Sequence, residues 1–251
     1  MEVVIFLCSF LPAIIYCLYF YFNLPYNVVT IKKLLIYFIF GTLSVGLLLT
    51  LDDLLPFWGN LANTLTNRFI DNFSYQHVKY FIEVGVGEEF CKLVTFTSIT
   101  YYLKSLKNPI VNSPTATMVY CGIVALGFAG VENVFYALST TTPFQMIFWR
   151  SFTANVAHLI FGLYMGYFIA KSDITKLVNN SISGAFLNKF KKIRKVLLYT
   201  TGLIVASVLH GIYDLHITLN QPSGGYITGL YIFLFSCVIG LSICFKNIKK
   251  K

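Results

Sequence analysis

Charge is what this sequence has least of. Lys, Arg, Asp and Glu make up 12% of its 251 residues, against roughly 25% in an average soluble domain, which excludes an ordinary water-covered surface. The six cysteines (Cys8, Cys17, Cys91, Cys121, Cys237 and Cys244) all lie in apolar segments with no CxxC pair. That excludes a disulfide framework and a cysteine-ligated zinc site. The first apolar run has no positive n-region before it and is too long for the h-region of a signal peptide, so it reads as a retained helix. Internal repeats, low-complexity tracts and linkers are also missing, which leaves a single membrane domain over 1–251. The net charge of +9 does not point to nucleic acid, because the basic residues fall between and after the apolar runs and form no stripe; the implied partner is the lipid bilayer.

Apolar side chains make up 57% of the chain and its mean hydropathy is +0.71. Runs long enough to cross roughly 30 Å of hydrocarbon recur at 3–22, 34–51, 78–103, 115–139, 144–170, 196–217 and 225–245. The expected fold is therefore an all-α, polytopic transmembrane bundle of seven helices. It becomes eight if the stretch Asp52–His77, which carries Leu54, Leu55, Phe57, Trp58, Leu61 and Leu65, also crosses; its Asn and Asp content argues for an amphipathic or re-entrant segment instead. With seven crossings and the N-terminus outside, nearly all lysines and arginines fall on the cytoplasmic side, and only Arg68 and Lys79 fall outside. The positive-inside rule then predicts an integral cell-membrane protein with its N-terminus outside and its C-terminus in the cytoplasm. The basic loop Lys171–Lys195 is expected to lie against anionic head groups.

Ionisable residues stand inside these runs where each costs at least a few kcal/mol unless paired or hydrated: Glu83, Glu88, Glu89, Lys92, Glu132, Arg150, His158, His210 and Asp214. In VGVGEEFCKLVTF, Lys92 follows Glu88 by four residues and Glu89 by three, on roughly one helix face. Its ammonium can hold a carboxylate ionised for use as a general base, or simply lock helices together. GFAGVEN offers Gly127 and Gly130 for close helix approach and projects Glu132 and Asn133 into the bundle. The next helix carries Arg150 near its outer end, where it could snorkel, then His158 near mid-depth, then the small pair Gly162 and Gly166. In VLHGIYDLH, His210 and Asp214 are four apart, so the carboxylate can orient the imidazole; His216 reads as interfacial. Counted from the outer ends, Glu88, Glu132 and His210 fall in the outer half of the membrane and His158 nearer its middle, which lets them converge on one pocket.

EEFCK, GFAGVEN, the Arg150 and His158 helix and HGIYD occur in the order seen in the PrsW family of glutamic-type intramembrane proteases, and the resemblance spans about 80–215, within a motif-bearing core of about 78–217. That family is similar in turn to the CAAX prenyl endopeptidases and the Abi-type membrane proteins, all helical. The resemblance implies that Glu88 with Glu89 activates water and that His158 and His210 stabilise the transition state, supported by Lys92, Glu132, Asn133, Arg150 and Asp214. One departure stands out: the CAAX endopeptidases have a histidine four residues after a phenylalanine, whereas here Phe128 is followed by Glu132. The implied reaction is hydrolysis of a peptide bond in or near the membrane segment of a membrane-anchored protein, such as an anti-sigma factor.

Peptide hydrolysis needs a base, oxyanion donors and an acid for the leaving amine, which Glu, His and Asp can supply. No cofactor is expected. A zinc-dependent version would use His158 and His210 with a glutamate, although HExxH is absent. A proton-coupled transporter would use the same residue types but usually shows inverted repeats. A non-catalytic immunity or scaffold protein would not need the intact polar set. The topology is checked with reporter fusions: those after Lys107, within Lys171–Lys195 and after Lys251 are expected to report cytoplasm, and one near Asn63 the outside. A C-terminal reporter found outside would mean a miscounted crossing.

Overall fold

The computed structural model describes residues 1–26, 28–54, 79–106, 113–178, 185–219 and 224–249. Every element among them is helical: α1 (Glu2–Asn23), α2 (Ile31–Leu54), a π-helical segment (Lys79–Val86) running into α3 (Gly87–Ser105), α4 (Pro114–Leu138), α5 (Pro143–Phe152), α6 (Ala154–Val178), α7 (Ala185–Leu219) and α8 (Gly224–Lys249). Since the π segment joins α3, and α5 meets α6 at Thr153, these form seven rods that match the seven expected spans. Six of them are long and apolar enough to cross a membrane. The seventh, the π segment with α3, carries the glutamates and lysine that lower its hydropathy. The amphipathic or re-entrant segment expected at Asp52–His77 lies outside the described residues beyond Leu54, as do Arg68, Lys107 and Lys251. Much of the expected loop Lys171–Lys195 is helical, because α6 runs on to Val178 and α7 begins at Ala185; Lys, Leu and Arg are good helix formers and continue the helix past the apolar run.

α4 is the centre. Every residue from Ala116 to Gly130 is buried, as expected for a helix that is apolar all round. Its start is set by Ser113, whose hydroxyl accepts from the Ala116 amide at 3.1 Å, and by Pro114 in the first turn, where the missing N–H costs nothing. α1, α2 and α6 pack around it. The outer faces of α1, α2 and α8 expose Leu7, Leu43 and Phe235 among many apolar side chains, the surface a lipid solvent requires.

Without a hydrophobic driving force between helices in lipid, close backbone approach sets the packing. A Cβ on Gly127 would run into the Phe38 carbonyl of α2, and one on Gly166 would lie 2.6 Å from Met118 Cα of α4. Between α2, α3 and α4, Tyr37 stacks on Tyr120 at 4.7 Å and Phe96 at 5.5 Å between centroids, and its hydroxyl pairs with Thr100 Oγ1 at 2.9 Å.

Two irregularities place the site. The wide π turn ends at Val86, two residues before Glu88, and packs on α7 through Gly85, where a Cβ would stand 2.7 Å from the Ser207 carbonyl; such turns recur at functional positions. α5 breaks from α6 at Thr153, whose hydroxyl donates to the Trp149 carbonyl at 2.9 Å while its own carbonyl accepts from Ala157 at 2.9 Å. That back-bonding competes with the helix ladder. Gly127→Val is expected to destabilise the bundle by about 1–3 kcal/mol through overpacking, read as a lower melting temperature in detergent. Gly46→Val, where a Cβ meets nothing within 4 Å, is the control expected to change little.

Candidate functional site

Helical spacing sets the site on α3. Glu88, Glu89 and Lys92 occupy one inward arc and are all buried. Lys92 Nζ donates to Glu89 Oε1 at 2.7 Å and to Glu88 Oε2 at 3.2 Å. Its third contact is His158 Nδ1 on α6 at 3.0 Å. An ammonium has three donors and no acceptor, so Nδ1 accepts and the proton of His158 sits on Nε2. That nitrogen lies 2.8 Å from Glu132 Oε2 and donates to it. The Phe128 ring closes the fourth side, 4.1 Å from Nζ, a cation–π contact out of water. Phe128 and Glu132, one turn apart on α4, thus serve the same site from both ends of His158.

His210 on α7 completes the group. Its ring centroid is 5.0 Å from that of His158, its Nδ1 is 3.0 Å from Glu89 Oε1, and its Nε2 is 3.7 Å from Glu88 Oε2 and 3.5 Å from Asp214 Oδ2. The carboxylate that orients this imidazole at hydrogen-bond distance is therefore Glu89 across the bundle. The spacing of His210 and Asp214 pointed to Asp214, which stands farther off.

Arg150 on α5 does not snorkel. Its side chain is 12% exposed; Nη2 donates to Glu132 Oε2 at 2.8 Å and Nε to Asn133 Oδ1 at 2.7 Å, over the face of Tyr136. Asn133 Nδ2 in turn donates to Asn155 Oδ1 at 2.9 Å and to the Ser9 carbonyl of α1 at 3.2 Å. Sequence reasoning overlooked Asn155, fully buried and three residues before His158 on the same apolar helix; that spacing was the available signal. It also overlooked Phe161, whose ring lies 5.2 Å from that of His210.

A cavity of about 660 Å³ opens onto this network, lined by Glu88, Glu132, Arg150, His158 and Asp214 and by aromatic and apolar walls that include Trp149, Tyr213 and Tyr231. Glu89, Lys92 and His210 stand one layer behind it, and Glu83, half-buried on the π segment, is not part of the lining. Eight of the nine expected ionisable residues thus converge. One ligand atom each from Glu88, His158 and His210 lies within 4.8 Å of the others, a donor set of the His₂Glu kind used by zinc hydrolases. Each imidazole has a carboxylate on its other side, Glu132 for His158 and Glu89 for His210, as metal-bound histidines usually do. The residues fit a divalent ion by type, although the Lys92 ammonium already stands against two of the three donors.

The apolar exterior and the polar cavity inside it define an integral, multi-pass membrane protein built around a buried reaction-type centre. A model described as PrsW family intramembrane metalloprotease matches residues 30–241. Curated relatives named Protease PrsW include that of Geobacillus kaustophilus, 24% identical over 221 residues that are 88% of this chain and 82% of that protein. That of Shouchella clausii is 26% identical over 83% of this chain and 80% of its own length. That of Oceanobacillus iheyensis is 26% identical over 57% of this chain, and the match spans only 56% of that relative. No solved structure matches. The chain belongs to the PrsW family of intramembrane proteases.

Lys92→Met would leave two carboxylates and an imidazole buried without their shared cation, and breaking a buried ion pair from one side costs about 3–5 kcal/mol. A large drop in thermal stability is expected, partly restored by adding Glu89→Gln. An unchanged melting temperature would mean that the ammonium is not the hub.

Proposed function

We propose that the protein hydrolyses a peptide bond in or near the membrane segment of a membrane-anchored protein, with Glu88 as the base. The observation that carries this reading is the buried Glu88–Lys92–His158 group opening into a 660 Å³ cavity inside an apolar bundle. Glu88 is the site carboxylate of α3 that faces the cavity, while Glu89 is committed to Lys92 and His210. In this mechanism Glu88 takes a proton from water, the hydroxide adds to the scissile carbonyl, and the same proton passes to the leaving amine as the C–N bond breaks. For the oxyanion, His210 offers Nε2–H while Glu89 holds its Nδ1, and His158, whose Nδ1 accepts from Lys92, turns its single Nε2–H from Glu132 to the developing charge. Arg150 keeps Glu132 in place. The substrate class is a single-pass regulator of the kind an anti-sigma factor represents, and the Protease PrsW relatives support proteolysis as the chemistry.

A second reading, with a zinc-type ion held by Glu88, His158 and His210, is favoured by the proximity of those donors and by the family's description as a metalloprotease. Such an ion would supply Lewis-acid polarisation and a more acidic water. Glu132 and Glu89 would then orient the two imidazoles, and Lys92 would swing off His158 Nδ1. We favour the ion-free form because the ammonium already neutralises the donor set.

Co-expression with candidate single-pass membrane proteins is expected to give truncated products that disappear with Glu88→Gln; truncation that survives the substitution overturns Glu88 as base. Purified protein stripped by a strong chelator is expected to stay active with no stoichiometric metal bound. Activity lost on chelation and restored by zinc would replace the ion-free mechanism with the metal-dependent one.

A further inference from the structure

A second concavity, of about 600 Å³, faces the lipid between the α5–α6 break and α8. Phe152 and Val156 form one wall, and Ile232, Phe235 and Val238 the other. It is apolar where the reaction cavity is polar, yet the two share Tyr231. The break at Thr153 divides them: Thr153 and Ala154 line the cavity, while Phe152, just before them, and Val156, two residues beyond, line the groove. One interruption in one helix therefore presents a face to each.

α8 turns one face inward along its length, with Leu230, Leu234 and Leu241 buried, and the other toward the lipid. The Tyr164 hydroxyl of α6 donates to the Cys237 carbonyl at 2.9 Å, and Gly240 lets that tyrosine pass close beside the helix. Before that pin, Ile232 and Phe235 are 62% and 66% exposed. Ile232 and Phe235 therefore stand on the open, lipid-facing side of α8 beside the groove.

Three occupants suit apolar walls: a lipid chain, α8 of another copy, or a substrate helix. Only the last explains why an apolar groove runs into a cavity walled by Glu88, Glu132 and Asp214. A helix crossing lipid keeps its backbone bonded to itself, and non-helical backbone is tolerated at membrane depth only where protein or a polar cavity covers it. A chain that packs as a helix in the groove and unwinds beyond it meets both conditions in order. We propose that a transmembrane helix of the membrane-anchored substrate docks between the α5–α6 break and α8, and that its unwound end passes Tyr231 to reach Glu88. This rests on the hydrolytic reading of the cavity.

The test places the photoreactive residue p-benzoylphenylalanine at Ile232 and, separately, at Phe235, each in the full-length chain with Glu88→Gln. Leu7 and Ile204, exposed on other faces, are the controls. The probe is an epitope-tagged single-pass membrane protein that the unaltered chain truncates on co-expression. Adducts with the probe are expected at one or both groove positions, several-fold above the controls. Equal yields at the controls, no probe adduct at either groove position, or adducts only with lipid or a second copy of this chain would overturn the proposal. Truncation by the unaltered chain is scored in the same cells, so the hydrolytic reading stands or falls on that signal and the docking route on the adduct pattern.

Discussion

A single ammonium in the middle of the bundle sets the terms for the rest. Lys92 is 2% exposed, so its charge is taken out of bulk water, and that is tolerable only if each of its three N–H groups finds an acceptor and its remaining side a polarisable surface. Glu88 and Glu89 come from its own helix, His158 from α6 and the Phe128 ring from α4. Three helices are thereby obliged to meet at one point, and His210, bonded to Glu89, adds a fourth.

The acceptors carry the constraint outward. His158 can accept from Lys92 only if its other nitrogen donates, so Glu132 must stand behind it. Glu132 is a second charge, partly buried on the cavity wall, and takes its own cation from Arg150 on α5. Arg150 spends its Nε on Asn133, and Asn133 reaches Asn155 and the backbone of α1. One branch of the series ends where the Asn133 amide reaches the Ser9 carbonyl, and the other at Asn155, whose Nδ2 is buried with no hydrogen-bond partner among the described residues. Networks of this kind lose disproportionately when one member is removed, because the low dielectric that strengthens each bond also penalises each vacancy. That gives the four motifs a physical reason to occur together.

The same arrangement separates two tasks among like residues. Glu89, fully buried, positions His210 and neutralises Lys92, whereas Glu88 keeps an edge on the cavity. Adjacent positions on a helix differ by about 100° in direction, so a pair of neighbouring glutamates can serve one layer each. The break at Thr153 acts similarly on a larger scale, turning Arg150 inward on one side while His158 stays in line with α6 on the other.

Much was legible in the chain alone. Apolar runs of membrane-spanning length determine seven helical rods, because a backbone in hydrocarbon must satisfy its own hydrogen bonds, and the cost of burying charge marks Glu88, Glu89, Lys92, Glu132, Arg150, His158, His210 and Asp214 as one polar centre. The spacing of Glu88, Glu89 and Lys92 correctly implied their pairing, since those contacts lie within one turn. Contacts between helices were decided only by the tertiary structure. His210 takes Glu89 from another helix in preference to Asp214 one turn along its own, Arg150 turns inward because α5 breaks from α6, and Asn155 gains its role from Asn133 on α4. Periodicity along one helix reports which side chains share a face, but not the rotation and depth at which that face meets its neighbours. Those are set by where glycines such as Gly127 and Gly166 let backbones touch.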